Sequence, residues 1–333
     1  MNLEEFYAIN SAYPWFFAFW AFVFGACWGS FFNVVIYRYP AKLSVVKPGS
    51  HCFACQTPIK WYDNLPILSW CILRGKARCC GAPFSMRYAI IEALTGGLYM
   101  WTWIVYSDDL GVVVAIWIFL ALLICGLFID YDTQFLPDLF TVWGLVFGFI
   151  LSCLYPELHQ QGGSGDPPLL EHIRSAALSA TGGVVGAGVI LWVGLLAEKF
   201  LRKEEAMGFG DVLLMGCIGA FIGWKGAIFA IFGGSLFGTL VVLPMMLVNS
   251  LFGTKLRPGK TGEVEEMAPP KKMDEAEDAE TTEPEADLNM QAKIPFGPWL
   301  AIGAVVYLLL VRDCVDGYFE STRALIFSPV PLY

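Results

Sequence analysis

The chain has 333 residues, of which 56% are hydrophobic and only 15% charged, and its mean hydropathy is +0.58. Soluble domains carry about a quarter charged residues, so this composition excludes an ordinary soluble fold and points to a polytopic membrane protein. The net charge of −9 says nothing about a partner, because residues 263–287 alone hold 11 acidic residues and two lysines while the rest is close to neutral.

The chain opens Met1-Asn2-Leu3-Glu4-Glu5, acidic where a cleavable signal would be basic, so no such signal is expected. Apolar runs at 15–37, 88–106, 111–129, 139–155, 176–197, 211–224, 227–252 and 294–311 read as eight candidate spans. Most approach the ~20 residues that a crossing helix needs. The run 211–224 is short, which predicts a tilted or partly re-entrant helix buried in protein. The fold class is therefore all-α, with about eight transmembrane helices and a small cysteine-containing cytoplasmic domain between the first and second. The divisions are an outer N-terminus and first helix at 1–37, the cysteine domain at 38–87, and a transmembrane core at 88–252. An acidic insert at 253–292, a last helix at 293–312 and an outer tail at 313–333 follow. Seventeen of the 21 basic residues fall on the side holding residues 38–87 and the insert. The positive-inside rule makes that side cytoplasmic.

The first span carries Gly25, Gly29, Ser30 and Asn33. Small residues spaced by four favour close helix contact, and Asn33 reads as a cross-helix hydrogen bonder rather than a catalytic group. The segment 38–87 is too small for a large core and invites a metal staple. Cys52 and Cys55 have knuckle spacing; further on come Arg78-Cys79-Cys80-Gly81, with Ala77 where a second Cys-x-x-Cys would need a cysteine. A disulfide is not expected on a reducing side. Cys52, Cys55 and Cys80 are the expected structural zinc ligands, with Cys79 or His51 completing the four. Cys71 is a further candidate ligand, although in its apolar run, 65–73, a buried free thiol is the plain reading.

Asp130 ends an uninterrupted run of 18 apolar or glycine residues that starts at Val112. Asp211 closes Met207-Gly208-Phe209-Gly210-Asp211 and opens another apolar run. A carboxylate at the edge of a bilayer segment is expensive to place and usually faces a bundle interior or a water-filled cavity. Charge counting puts both aspartates at the cytoplasmic edge, where two carboxyls can share one proton, as in aspartyl proteases. The plain alternative is two unrelated interfacial aspartates that cap helices. Gly208 and Gly210 favour the pairing, because they let backbone approach a neighbouring helix or a substrate strand. Asp132 and Asp138 read as capping and solvating groups. The insert has no apolar period and predicts a disordered tether.

Together these residues resemble the bacterial type IV prepilin peptidases, the leader peptidase/N-methyltransferases of the GxGD aspartyl intramembrane protease family. The carriers are Gly29-Ser30-Phe31-Phe32-Asn33, Trp61-Tyr62-Asp63-Asn64-Leu65-Pro66, Ile129-Asp130-Tyr131-Asp132, Gly208-Phe209-Gly210-Asp211 and Ile294-Pro295-Phe296-Gly297-Pro298, in that order along the chain. The resemblance implies a membrane-embedded aspartyl endopeptidase of the bacterial inner membrane, with Asp130 and Asp211 catalytic. Its substrates would be type IV prepilins and pseudopilins, cut after a glycine that precedes a hydrophobic helix. It implies N-methylation of the new N-terminus, with S-adenosylmethionine as donor at a site the sequence does not reveal. The partners implied are these substrates and the lipid bilayer, and not nucleic acid. The family commonly has two Cys-x-x-Cys pairs; Ala77 breaks the second and Cys79 is extra. That departure leaves a peptidase without methylation as one alternative. A transporter or assembly scaffold is the other, although it would place its polar groups at the bilayer midplane.

Overall fold

The computed structural model describes residues 3–163, 165–201, 208–252 and 296–327. The acidic insert, Met207 and the Ile294-Pro295 pair lie outside them. Among the described residues every regular element is a helix, apart from two isolated bridges in the cysteine segment. The helices are α1 (Leu3–Ala12), α2 (Pro14–Arg38), α3 (Leu68–Leu73), α4 (Arg87–Tyr106), α5 (Leu110–Thr133) and α6 (Asp138–Leu154). They continue as α7 (Pro168–Leu201), α8 (Phe209–Phe252) and α9 (Gly297–Val306), which passes through a π turn, Tyr307–Val311, into α10 (Arg312–Phe327). Among the described residues, five stretches are long and apolar enough to cross a bilayer: Pro14–Arg38, Leu110–Thr133, Pro168–Phe200, Phe209–Met245 and Gly297–Phe319. The helix α6 is apolar but shorter, and α4 has the length but carries Arg87 and Glu92.

The centre of the bundle is α5. It is the most apolar of the five stretches, and Val112, Ala115, Phe119 and Leu120 are buried in the main core with Met215, Ile218 and Leu300, while Val114 and Ile118 face outward. Asp109 starts it, Oδ1 accepting the N–H groups of Gly111 (2.8 Å) and Val112 (3.1 Å). Gln134 ends it in the left-handed conformation, its N–H bonded to Asp130 O. Aliphatic side chains gain little by leaving lipid for protein, so close packing has to hold the helices together. Glycines supply it. A Cβ on Gly29 would come within 2.7 Å of Glu92 Cα, and one on Gly144 within 2.6 Å of Cys217 Sγ. Asn33 Nδ2 donates to Tyr88 O across the α2–α4 contact at 3.2 Å, as its type and position predict.

The two spans expected at 211–224 and 227–252 lie in one helical element that breaks at Gly223 (φ 73°, ψ 176°). A Cβ on Gly186 of α7 would meet both Met215 O and the Ala227 side chain, and one on Gly182 would meet both Gly219 and Gly223. The chain before and after Gly223 therefore runs along the same stretch of α7 and doubles back there. The last helix does not stop near Val311 but goes on through α10. Side chains such as Trp20, Trp192, Phe232 and Leu240 are exposed around the outside. A belt of this size suits lipid, not water.

Candidate active site and cysteine cluster

Three helix ends meet at one end of the bundle: the last turn of α5, the first turn of α8 and the start of α9. Asp130 is buried on α5, and Asp211 is half-buried on α8. Gly297 of α9 sits over both. A Cβ placed on it would lie 2.9 Å from Asp130 Oδ2 and 3.4 Å from Asp211 Oδ1, so the two carboxyls converge on one point. Asp130 Oδ2 is buried and has no hydrogen-bond partner among the described residues. A buried oxygen left this way costs about 1–3 kcal/mol or more if charged. A fold keeps such a group only if something else requires it.

The Gly208-Phe209-Gly210 stretch serves the site unevenly. A Cβ on Gly210 would be 3.1 Å from Leu136 Cβ, so this glycine lets α8 start against the loop that follows α5. A Cβ on Gly208 would meet nothing within 4 Å, and Phe209 is exposed. Asp132 does not cap. It forms a two-pronged ion pair with Arg87 at the start of α4, at 2.8 and 2.6 Å, and so fixes the turn that carries Asp130. Asp138 lies in the first turn of α6, just after the N-cap Pro137, where its charge suits the helix N-terminus as expected.

The cysteine segment contains two knuckles of the same backbone design. In the first, Cys52 N bonds Thr57 O, Gln56 N bonds Cys52 O, and His51 bridges to Pro58. In the second, Ala77 N bonds Ala82 O, Gly81 N bonds Ala77 O, and Lys76 bridges to Pro83. Gln56 and Gly81 both take positive φ at the same place in the turn. Ala77 thus stands where Cys52 stands, and Cys80 where Cys55 stands. Cys79 matches Ala54, and its sulfur still reaches the group. The sulfurs of Cys52, Cys55, Cys79 and Cys80 lie within 4.8 Å of one another. Individual separations are 3.6 Å for Cys52–Cys80, 3.3 Å for Cys55–Cys79 and 3.8 Å for Cys79–Cys80. A tetrahedral metal with metal–sulfur bonds of about 2.3 Å would set these edges at about 3.8 Å, so the donor set fits a zinc-sized ion. Thr57, through its hydroxyl first and its backbone second, holds the Cys55 thiol down to about 6, and the backbone N–H of Cys55 lowers that of Cys52. Cys79 is pushed up to about 12 by the sulfurs of Cys55 and then Cys52 beside it. His51 is not in the group; its Nδ1 is 2.9 Å from Gly49 O. Cys71 is exposed on α3 and stands apart from the cluster, contrary to the buried thiol expected there.

Two family descriptions match the chain: "Bacterial Peptidase A24 N-terminal domain" over residues 23–106 and "Type IV leader peptidase family" over residues 117–243. A "Prepilin leader peptidase/N-methyltransferase" of Myxococcus xanthus is 32% identical over 321 residues, covering 88% of this chain and 90% of that one. The chain belongs to the type IV leader peptidase family. Proteins of the same name from Klebsiella pneumoniae and Neisseria gonorrhoeae are 35% and 34% identical, over 64% and 69% of this chain and 88% and 82% of their own. No solved structure matches.

Sequence reasoning missed two residues, of which one stands in a family signature. Gly297 stood in the last-helix signature, but nothing local showed that it would lie on the aspartates. Glu92 is buried on α4, and Oε2 accepts the N–H of Ile67 at 2.7 Å. Ile67 holds φ at 63°, an unusual value for a β-branched residue. Glu92 therefore clamps the cysteine segment to the bundle at its most strained point. A lone glutamate in an apolar helix was the signal.

Proposed function

We propose that the chain is a membrane-embedded aspartyl endopeptidase that removes the leader of type IV prepilins and pseudopilins, with Asp130 and Asp211 as the catalytic pair. The observation that carries this reading is the convergence of the two carboxyls under Gly297, with one buried oxygen left unpaired. One carboxyl is ionised and takes a proton from water; the water oxygen then attacks the scissile carbonyl carbon. The other is protonated and donates to the carbonyl oxygen. The proton belongs to the pair rather than to a fixed member.

The wider reading has the chain crossing the inner membrane eight times, α8 counting twice through its reversal at Gly223. The aspartate end then faces the cytoplasm. This is supported by the excess of basic residues on the segments at that end. It divides the chain as the sequence suggested, with 38–87 a cytoplasmic domain between the first two crossings. That domain holds one zinc through Cys52, Cys55, Cys79 and Cys80. The ion is structural: all four positions are filled by protein sulfur, and the peptidase steps do not use it. By its kinship the chain also N-methylates the new N-terminus, with S-adenosylmethionine as methyl donor; no residue is assigned to the donor.

Mass spectrometry of a co-expressed prepilin tests this, since leader loss and methylation change the mass separately. Asp130→Asn and Asp211→Asn are each expected to leave the precursor uncut while the protein stays inserted. Full processing by either variant would remove the aspartyl mechanism. Cleavage without added methyl mass would leave a peptidase alone.

A further inference from the structure

The end of the bundle opposite the aspartates holds a second set of charges that cleavage does not use. Arg312 is only 7% exposed there. Its Nη2 donates to Leu158 O at 2.6 Å, but its buried Nε has no hydrogen-bond partner among the described residues. The Asp316 carboxylate stands 3.9 Å from that Nε and is engaged by Lys225 Nζ at 2.8 Å. Taking a guanidinium out of water costs several kcal/mol unless its hydrogen bonds are remade. One of these is not.

The backbone around Arg312 is built for the purpose. The last helix reaches it through the π turn Tyr307–Val311. Such turns often mark functional sites. A π turn disturbs the regular ladder, and here Leu308 O is taken up by the Tyr106 hydroxyl of α4 at 2.6 Å. Across from it, the chain reverses at Gly223 next to the His159 ring. Between these features lies a cavity of about 460 Å³, lined among others by His159, Gly223, Trp224, Lys225, Tyr307 and Arg312. Burial first and the Arg312 charge second push His159 down to about 4, so it is neutral at neutral pH. Arg312 and Lys225 against Asp316 leave one positive charge in the wall. The pocket wall thus carries Arg312 and Lys225 with a surplus positive charge, which suits an anion.

We propose that this cavity binds a phosphate group, that of an anionic phospholipid headgroup, held by Arg312 and Lys225. The lipid source rests on the reading that these helices cross a membrane. Helix ends lie at headgroup depth, and Trp224 in the cavity wall is the kind of residue that sits there. A planar guanidinium is also the side chain best shaped for phosphate oxygens.

The test is native mass spectrometry of the detergent-purified full chain, titrated with phosphatidylglycerol and, separately, with a diacylglycerol of the same acyl chains. Phosphatidylglycerol is expected to bind roughly tenfold more tightly, the order of one charge-assisted contact. Lys225→Gln and Arg312→Lys should each remove most of that difference. Lys225→Gln should still cleave a prepilin, since the residue lies far from the aspartates, and this shows that the fold is intact. Equal affinity for the two lipids, or Lys225→Gln binding like the parent, overturns the proposal. A third arm titrates inorganic phosphate in lipid-free detergent and reads thermal stability. Stabilisation there, lost in Lys225→Gln and without preference for phosphatidylglycerol, overturns the lipid source and gives the site to a soluble anion. Full processing by the Asp130→Asn variant would remove the aspartyl reading and leave lipid binding unchanged, so the two readings fail separately.

Discussion

Gly297 touches the proposed catalytic pair without carrying any functional group. A Cβ at this position would press on Asp130 Oδ2 at 2.9 Å and on Asp211 Oδ1 at 3.4 Å, and the first of these is tighter than carbon and oxygen allow. Gly297→Ala must therefore push a carboxyl aside by a few tenths of an ångström. Misplacement of about 1 Å can cost about a hundredfold in rate, so a drop of roughly tenfold in leader cleavage is expected, with insertion unchanged. Parent-like kinetics in a reconstituted cleavage assay would mean that the aspartates are not held at this point. Gly208 is the matched contrast. Its Cβ would meet nothing within 4 Å among the described residues, so Gly208→Ala should not disturb the carboxyls. Any loss it causes should appear in KM for the prepilin, where an approaching substrate strand would feel the methyl group. The Arg87–Asp132 pair is a third case, decided by magnitude. Its side chains are 38% and 33% exposed, so the bond contributes at most about 1 kcal/mol of stability. Asp132→Asn is expected to leave thermal stability nearly unchanged and to slow cleavage less than tenfold, through a looser turn under Asp130.

At the scale of elements, the two knuckles explain the irregular cysteines. Sequence spacing showed that Ala77 breaks the second Cys-x-x-Cys and that Cys79 is extra, but not whether Cys79 could compensate. The matching backbone bonds answer this: the turn forms with alanine in the first position, and the free residue two places on turns its sulfur inward. The double variant Ala77→Cys/Cys79→Ala restores the pattern of the first knuckle and should keep about one zinc per chain, whereas Cys79→Ala alone should lose affinity. Metal analysis reads both, and full zinc in Cys79→Ala would take Cys79 out of the set. The same comparison shows what was legible. Helix starts, the break between two apolar runs and the edge positions of both aspartates follow from local pattern. The Glu92–Ile67 bond and the Arg87–Asp132 pair do not, because each joins residues 25 or 45 positions apart that no local rule connects. Glu92→Ala leaves the half-buried Ile67 N–H without its acceptor, at a cost of at most about 1–3 kcal/mol. Limited proteolysis should then cut the 38–87 segment faster while sparing the bundle; an unchanged cleavage pattern would show that Glu92 clamps nothing.

The whole molecule depends on one reversal. Asp130 and Asp211 meet before the chain reaches Gly223, and the reversal there brings the second half of α8 back beside α7 and α9, whose first residue lies on the aspartates. From the sequence the runs 211–224 and 227–252 looked like separate spans, and the connection was invisible because it uses a single residue instead of a loop. Gly223 combines φ 73° with ψ 176°, a region essentially closed to residues with a Cβ. Its missing side chain also faces His159 Nδ1, at 3.4 Å from where a Cβ would sit. Gly223→Ala should therefore cost on the order of 1–3 kcal/mol from backbone strain alone. In a membrane bundle of this kind the loss should appear as a lower midpoint of thermal unfolding. Gly188→Ala on α7 is the control, because it sits in a helix and its Cβ would meet nothing within 4 Å. Alanine is the better helix former by about 1 kcal/mol, so that variant should match or exceed the parent. The strain acts on the path of the chain and not on the carboxyls, so the folded fraction of Gly223→Ala should still cut a prepilin. If the two variants melt together, the break at Gly223 is a tolerated kink and carries no strain that only glycine relieves.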